Sequence, residues 1–204
     1  MGIIDILNYL GRSLEFALTG QTNYKITTSE FEKASIIDNE VQAALALKEV
    51  RQYLKEKFSI VLRQPVVVHL GQPKTWLWKW RLTSGFNHVG NYYSQPMGKT
   101  YSHIITIIPK LERTKFKAVL CHELVHAFQI EHNMLRHLKG YREGMSRWVE
   151  YHFLIDHKKS GEAKKLRKIG LAILGNMLNK ILAYEEKHGR AATCRWLGNL
   201  EDSE

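Results

Sequence analysis

His122 and His126 stand four residues apart with Glu123 beside the first of them, in the run His122-Glu123-Leu124-Val125-His126. Helix positions advance by about 100° each, so residues four apart share a face; both imidazoles can then reach one metal ion while Glu123 flanks it. Two nitrogen ligands and a carboxylate that does not ligate are the minimum equipment for metal-assisted hydrolysis of a peptide bond: the histidines hold zinc, and Glu123 serves as general base. The surrounding residues Val119, Leu120, Leu124, Val125, Ala127 and Phe128 are apolar, which predicts a buried helix. A charged group on such a helix must be paired or metal-bound, because an isolated ionised carboxylate is costly in a dry interior. The alternative, an ordinary amphipathic helix with core histidines, gives Glu123 no role. Cys121 precedes His122 and so points about 100° off the ligand face, which predicts burial rather than ligation.

Catalytic zinc usually has three protein ligands and a water, so a third ligand must come from elsewhere. His132 lies six residues after His126, the spacing of HExxHxxGxxH, but Gln129 occupies the place where a glycine would let the chain turn. If the helix runs on without that break, His132 points about 240° away from His126. Glu143 follows His126 after sixteen residues, 127–142, and opens the run Glu143-Gly144-Met145-Ser146-Arg147-Trp148-Val149-Glu150-Tyr151. That run predicts a second helix, brought back by a loop over Asn133 to Arg142, with Glu150 two turns beyond Glu143 on nearly the same face. Glu143 is the expected third ligand, and Glu150 the expected acceptor that fixes the tautomer of a ligand imidazole. Glutamates more commonly line a solvated helix face, and that is the competing expectation for both.

The strand Ile104-Ile105-Thr106-Ile107-Ile108-Pro109, the helix carrying His122-Glu123-Leu124-Val125-His126, and Glu143-Gly144 after sixteen residues resemble the gluzincin metallopeptidases. The resemblance runs most closely to the peptidase domain of the plant LIM-domain growth regulators that ubiquitin activates. The segment Glu143 to Tyr151 is also similar to the Asn-Glu-Gly-Phe-Ala segment of thermolysin-like aminopeptidases. It covers about residues 100 to 155 and implies His122, His126 and Glu143 as ligands and Glu123 as base. The chain departs from these families in having no LIM-type cysteine clusters, no Gly-x-Met-x-Asn strand, and Arg142 where the aminopeptidases have asparagine. Ubiquitin regulation and action on free N-termini therefore do not carry over.

Placing these residues is the task of the rest of the chain. Its 204 residues predict a single domain, helical over 1–58, strand-rich over 59–109, and helical over 110–204 where the metal ligands fall. A chain of this length buries about two thirds of its unfolded surface, enough to enclose a site. A helix is expected from Asn39 to Phe58 behind a cap at Asp38, a buried strand at Val66 to Leu70, and a half-exposed strand in which Trp76, Trp78 and Trp80 alternate with Leu77, Lys79 and Arg81. Gly85 to Gly98 reads as a loop or hairpin before the site, and Thr100 to Ile108 as the strand preceding the ligand helix. Within it, Ser102 to Thr106 is a candidate edge strand for pairing with an extended substrate, against a central buried strand as the other reading. No proline follows Pro109, which suits helices over Lys115 to Gln129, Gly144 to Asp156, Glu162 to Lys187 and Arg190 to Leu200. The expected class is α+β and zincin-like, a small mixed or antiparallel sheet packed on the ligand helix with a helical C-terminal half.

Thirty Lys and Arg against twenty Asp and Glu give a net charge of +10. This suggests attraction to acidic surfaces; the basic run Lys158 to Lys168 reads first as a solubilising face, with contact to nucleic acid or to an acidic protein partner as the other readings. No zinc finger, phosphate loop or RNA-recognition signature accompanies it. The apolar stretch Met1 to Leu18 is broken by Asp5, Arg12 and Glu15, so neither a signal peptide nor a membrane span is expected, only an amphipathic helix. Cys121 and Cys194 lie far apart and outside any CxxC pair, which fits a reduced, cytoplasmic protein.

The resulting expectation is a zinc metallopeptidase with one Zn2+ per chain, acting on a protein or peptide substrate. Tyr92, Tyr93, Tyr184 and His188 are candidates for stabilising the tetrahedral oxyanion. Two other classes compete. A protease of DNA-bound proteins, of the SprT type, would use a third histidine, His132 or His137. A non-catalytic module would use the metal only to pin two helices, and has no need of Glu123.

Overall fold

The computed structural model describes residues 35–72, 89–97, 100–134, 139–173 and 177–198. The N-terminal stretch Met1 to Leu18, the tryptophans at 76, 78 and 80, and His137 lie outside them. In chain order the elements are β1 (Ile36–Ile37), α1 (Glu40–Phe58), β2 (Val66–Leu70), β3 (Gly90–Met97), β4 (Thr100–Ile107), β5 (Leu111–Glu112), α2 (Arg113–Glu131), α3 (Lys139–Asp156), α4 (Ser160–Ile173), α5 (Met177–His188) and α6 (Arg190–Gly198). The described chain is thus mixed α and β, mostly helical, with two small sheets.

Helix α1 begins where Asn39 accepts the Gln42 N–H through its side chain at 3.0 Å, and the Gln42 side chain returns the bond to the Asp38 N–H. The cap is thus Asn39, one residue beyond the expected Asp38. The helix stops at Ser59, whose left-handed φ of 58° turns its N–H back onto Leu54 and Lys55 carbonyls. Its apolar stripe, Ala43, Ala46, Leu47, Val50, Leu54 and Phe58, is buried. β2 and β4 run parallel with Val66 opposite His103, and β3 returns antiparallel to β4 with Gly90 opposite Ile107. The order β2-β4-β3 places β4 in the middle of the described sheet. Ser102 to Thr106 is therefore the central strand, with Ile105 and Ile107 fully buried, and β3 stands at the described edge. Pro96, which has no N–H to give a ladder, suits that edge position.

Glu112 caps α2 by accepting the N–H groups of Thr114 and Lys115. Phe116, Leu120, Cys121, Leu124, Val125 and Ala127 are all buried, so the helix is enclosed on nearly every side, as its apolar run predicts. It ends at Glu131, with His132 closing the last turn and Asn133 at a positive φ of 55°. α3 starts at Lys139, so the stretch 140–142 expected in a loop forms its first turn. The long helix expected from Glu162 to Lys187 is instead two elements, α4 and α5. Gly144 explains how α3 and α5 approach: a Cβ there would stand 2.5 Å from Met177 Cγ and 3.1 Å from Ile181 Cδ1. Trp148, Phe153, Phe58 and Phe116 fill the space among α1, α2 and α3.

Candidate metal centre

The site is built on two neighbouring helices. α2 brings His122 and His126 to one face, and α3 lays Glu143 across from them. The His122 Nε2 and His126 Nε2 atoms are 3.2 Å apart. Glu143 Oε2 lies 3.7 Å from the first and Glu143 Oε1 3.5 Å from the second. Among the described residues these three form the group able to hold a metal ion. Tetrahedral ligands on zinc bonds of about 2.0–2.1 Å are separated by roughly 3.3–3.4 Å, close to the spacing found between these atoms.

The tautomers are fixed from behind. Glu150, two turns beyond Glu143 on α3, sets Oε2 3.1 Å from His122 Nδ1; a carboxylate only accepts, so His122 carries hydrogen on Nδ1. For His126 the determinant is Gln129, one turn along α2. Its Nε2 donates to the Arg142 carbonyl at 2.9 Å, which turns its Oε1 toward His126 Nδ1 at 3.0 Å. Ser146 donates its hydroxyl to the same carbonyl and lies 3.3 Å from the same Nδ1. Both imidazoles therefore hold hydrogen on Nδ1 and direct Nε2 inward. Two facing nitrogen lone pairs and a carboxylate are all acceptors, and acceptors that converge require a cation or a proton among them.

The electrostatics agree. Burial pulls His122 down, but the Glu150 hydrogen bond and the charges of Glu150, Glu123 and Glu143 outweigh it and hold His122 well above the ordinary imidazole range. Burial, then the neighbouring His122, drives His126 below that range. The pair takes up one proton, and a divalent cation competes with it for the same position.

Glu123 is buried at 9% exposure, beside the ligands. Gly90 of β3 backs it: a Cβ at that position would stand 3.1 Å from Glu123 Oε1 and 2.5 Å from Val119 Cγ1. His132 stands apart from this group. Its Nδ1 lies 3.0 Å from the Phe128 carbonyl and its ring rests on Phe128, with centroids 4.0 Å apart. Of the oxyanion candidates, Tyr184 and His188 belong to α5, where Tyr184 stacks on Trp196. Tyr93 is exposed, whereas the Tyr92 ring lies 6.4 Å from that of His126. Gln129, Ser146 and Gly90 are contributors that the sequence reading passed over. Gln129 could have been found from its position three residues beyond His126; Ser146 and Gly90 depend on contacts between distant elements.

No known protein family, curated protein or solved structure matches this chain in comparison.

Proposed function

We propose that the chain is a zinc-dependent metallopeptidase of gluzincin type, with His122, His126 and Glu143 as zinc ligands and Glu123 as general base. The observation that carries this reading is the convergence of two Nε2 lone pairs and the Glu143 carboxylate, each imidazole held from behind by a hydrogen-bond acceptor. Zinc held there would supply Lewis acidity, polarising a carbonyl and lowering the pKa of a water toward 7.

The chain's own residues do the remainder. Glu123 takes the proton of the attacking water and returns it to the leaving amine, so one carboxylate serves as base and then as acid. Its burial beside Gly90, where a Cβ would stand 3.1 Å from Glu123 Oε1, limits the rotamers it can adopt. Glu150 and Gln129 prevent the imidazoles from turning. An extended substrate would lie along β3, the described edge strand nearest Glu123, rather than along β4. His132, engaged with Phe128, offers no support to the three-histidine reading.

The test is Glu123→Gln. It should retain one zinc per chain while hydrolysis of a peptide library falls at least about 100-fold, the range of a lost general base. An unchanged rate would remove Glu123 from the mechanism.

A further inference from the structure

A second set of buried polar groups adjoins the site from the strand side. Tyr92, two residues beyond Gly90 on β3, packs beside His126, their rings inclined at 31°. The Tyr92 hydroxyl lies 2.9 Å from Nδ1 of His103, which stands on the central strand β4 and is wholly buried. His103 Nε2 lies 3.0 Å from Glu131 Oε1 at the end of α2, a carboxylate with only 4% of its side chain exposed. Glu131 also accepts the N–H groups of Arg63 and Gln64 at 2.8 and 2.9 Å.

The direction of each bond follows. Burial works to raise the Glu131 carboxyl, but the bonds from His103 and the two backbone N–H groups overcome it and hold it below its ordinary value. An ionised Glu131 accepts, so His103 has its hydrogen on Nε2 and an acceptor at Nδ1. The Tyr92 hydroxyl is then the donor to that nitrogen. Its hydrogen is committed to His103, which leaves it unable to serve as an oxyanion donor. Buried ionic chains of this kind add little net stability over well-packed apolar side chains, and one that ends against a ligand histidine has a more specific use.

We propose that Glu131, His103 and Tyr92 act as one unit that positions His126 and fixes β3 against the ligand face of α2. Tyr92 is a positioning residue, its ring packed beside that of His126. The inference rests on the proposed metal centre, and it extends the support of His126 from Gln129 and Ser146 to a chain that crosses three elements.

Tyr92→Phe removes one oxygen and little else, so it is the leading variant, examined with Glu131→Gln and the double variant. Tyr53→Phe is the control, because the Tyr53 hydroxyl bonds Asp156, which belongs neither to the candidate ligand group nor to the chain of Tyr92, His103 and Glu131. The readouts are zinc affinity by chelator competition and the visible spectrum of the cobalt-loaded protein, which reports ligand geometry whether or not a substrate is known. Each single variant should weaken zinc binding about 10-fold and shift the cobalt spectrum, as loss of a ligand's supporting partner does. The double variant should be no worse than the weaker single one, since members of one chain are not additive. Tyr53→Phe should change neither readout. Wild-type zinc affinity and spectrum in Tyr92→Phe, or additive losses in the double variant, would overturn the unit while leaving the metal centre standing. A wild-type chain that takes no zinc would instead overturn the metal centre, and this inference with it.

Discussion

Each histidine in the site owes its usefulness to a different partner. His122 is served by a carboxylate, Glu150, and His126 by a neutral amide, Gln129, whose orientation is set by the Arg142 carbonyl. Glu150→Ala should therefore keep the fold but weaken zinc binding about 10- to 100-fold, whereas Glu150→Gln, which retains an acceptor oxygen, should lose much less. Chelator competition on the two variants checks this; equal losses would mean that charge, rather than the directed acceptor, supports His122. The His122 to His126 spacing was readable because helix periodicity alone brings i and i+4 together. Glu150 was readable for the same reason, two turns beyond Glu143. Gln129 was noticed only as the residue that replaces a turning glycine, because its role depends on a carbonyl from another helix.

Helix α3, which carries Glu143, is held close to α5 at Gly144. The residue after Glu143 has to be small because Met177 and Ile181 of α5 press against it, with the nearest atoms close to the Met177 backbone rather than at the flexible end of its side chain. Gly144→Ala should destabilise the protein by about 1–3 kcal/mol, as overpacking does, despite alanine's better helix propensity. Thermal or urea unfolding measures it, and a second change, Met177→Ala, should recover part of the loss. A Gly144→Ala variant as stable as the parent would show that the helices have room to part. At this scale the sequence revealed most element types, since α1, β2, β4 and α2 follow strong apolar periods. It did not reveal that Ser102 to Thr106 lies at the centre of the sheet. A run of buried β-branched residues looks alike in a central and an edge strand, and the pairing partner β3 sits in a stretch whose glycine and asparagine suggested either a loop or a hairpin, of which the antiparallel pairing with β4 bears out the second. Nor did periodicity show the division between α4 and α5.

The whole molecule joins its helices and sheet through buried ionisable networks, and this makes its stability depend on pH. Glu185 receives Trp148, His152 and Arg190, and against burial these bonds hold its carboxyl below the ordinary range, as His103 and two N–H groups do for Glu131. Burial, then Arg190, depresses His152. Groups depressed in the folded state bind protons more readily when unfolded, so their stabilisation is complete above their unfolded values and is lost as pH falls. Metal-free protein should lose stability first as His152 becomes protonated below about 6.5, then more steeply below about 4.5 as the two glutamates follow. Urea unfolding between pH 6.5 and 3, below the range in which the raised His122 gains its proton, follows the change on the wild type and Glu185→Gln; stability that rises toward acid in that range would contradict it. No described helix is long and apolar enough to cross a membrane. In the basic run, Lys159 lies 3.6 Å from Glu112, and Arg167 of α4 donates to Asn179 of α5. Metal content by mass spectrometry on native protein, Glu143→Ala and His132→Ala decides whether His122, His126 and Glu143 hold zinc as proposed. About one zinc per chain is expected in the wild type and in His132→Ala, with a marked loss in Glu143→Ala; zinc lost with His132, or none in the wild type, would rule the proposed centre out.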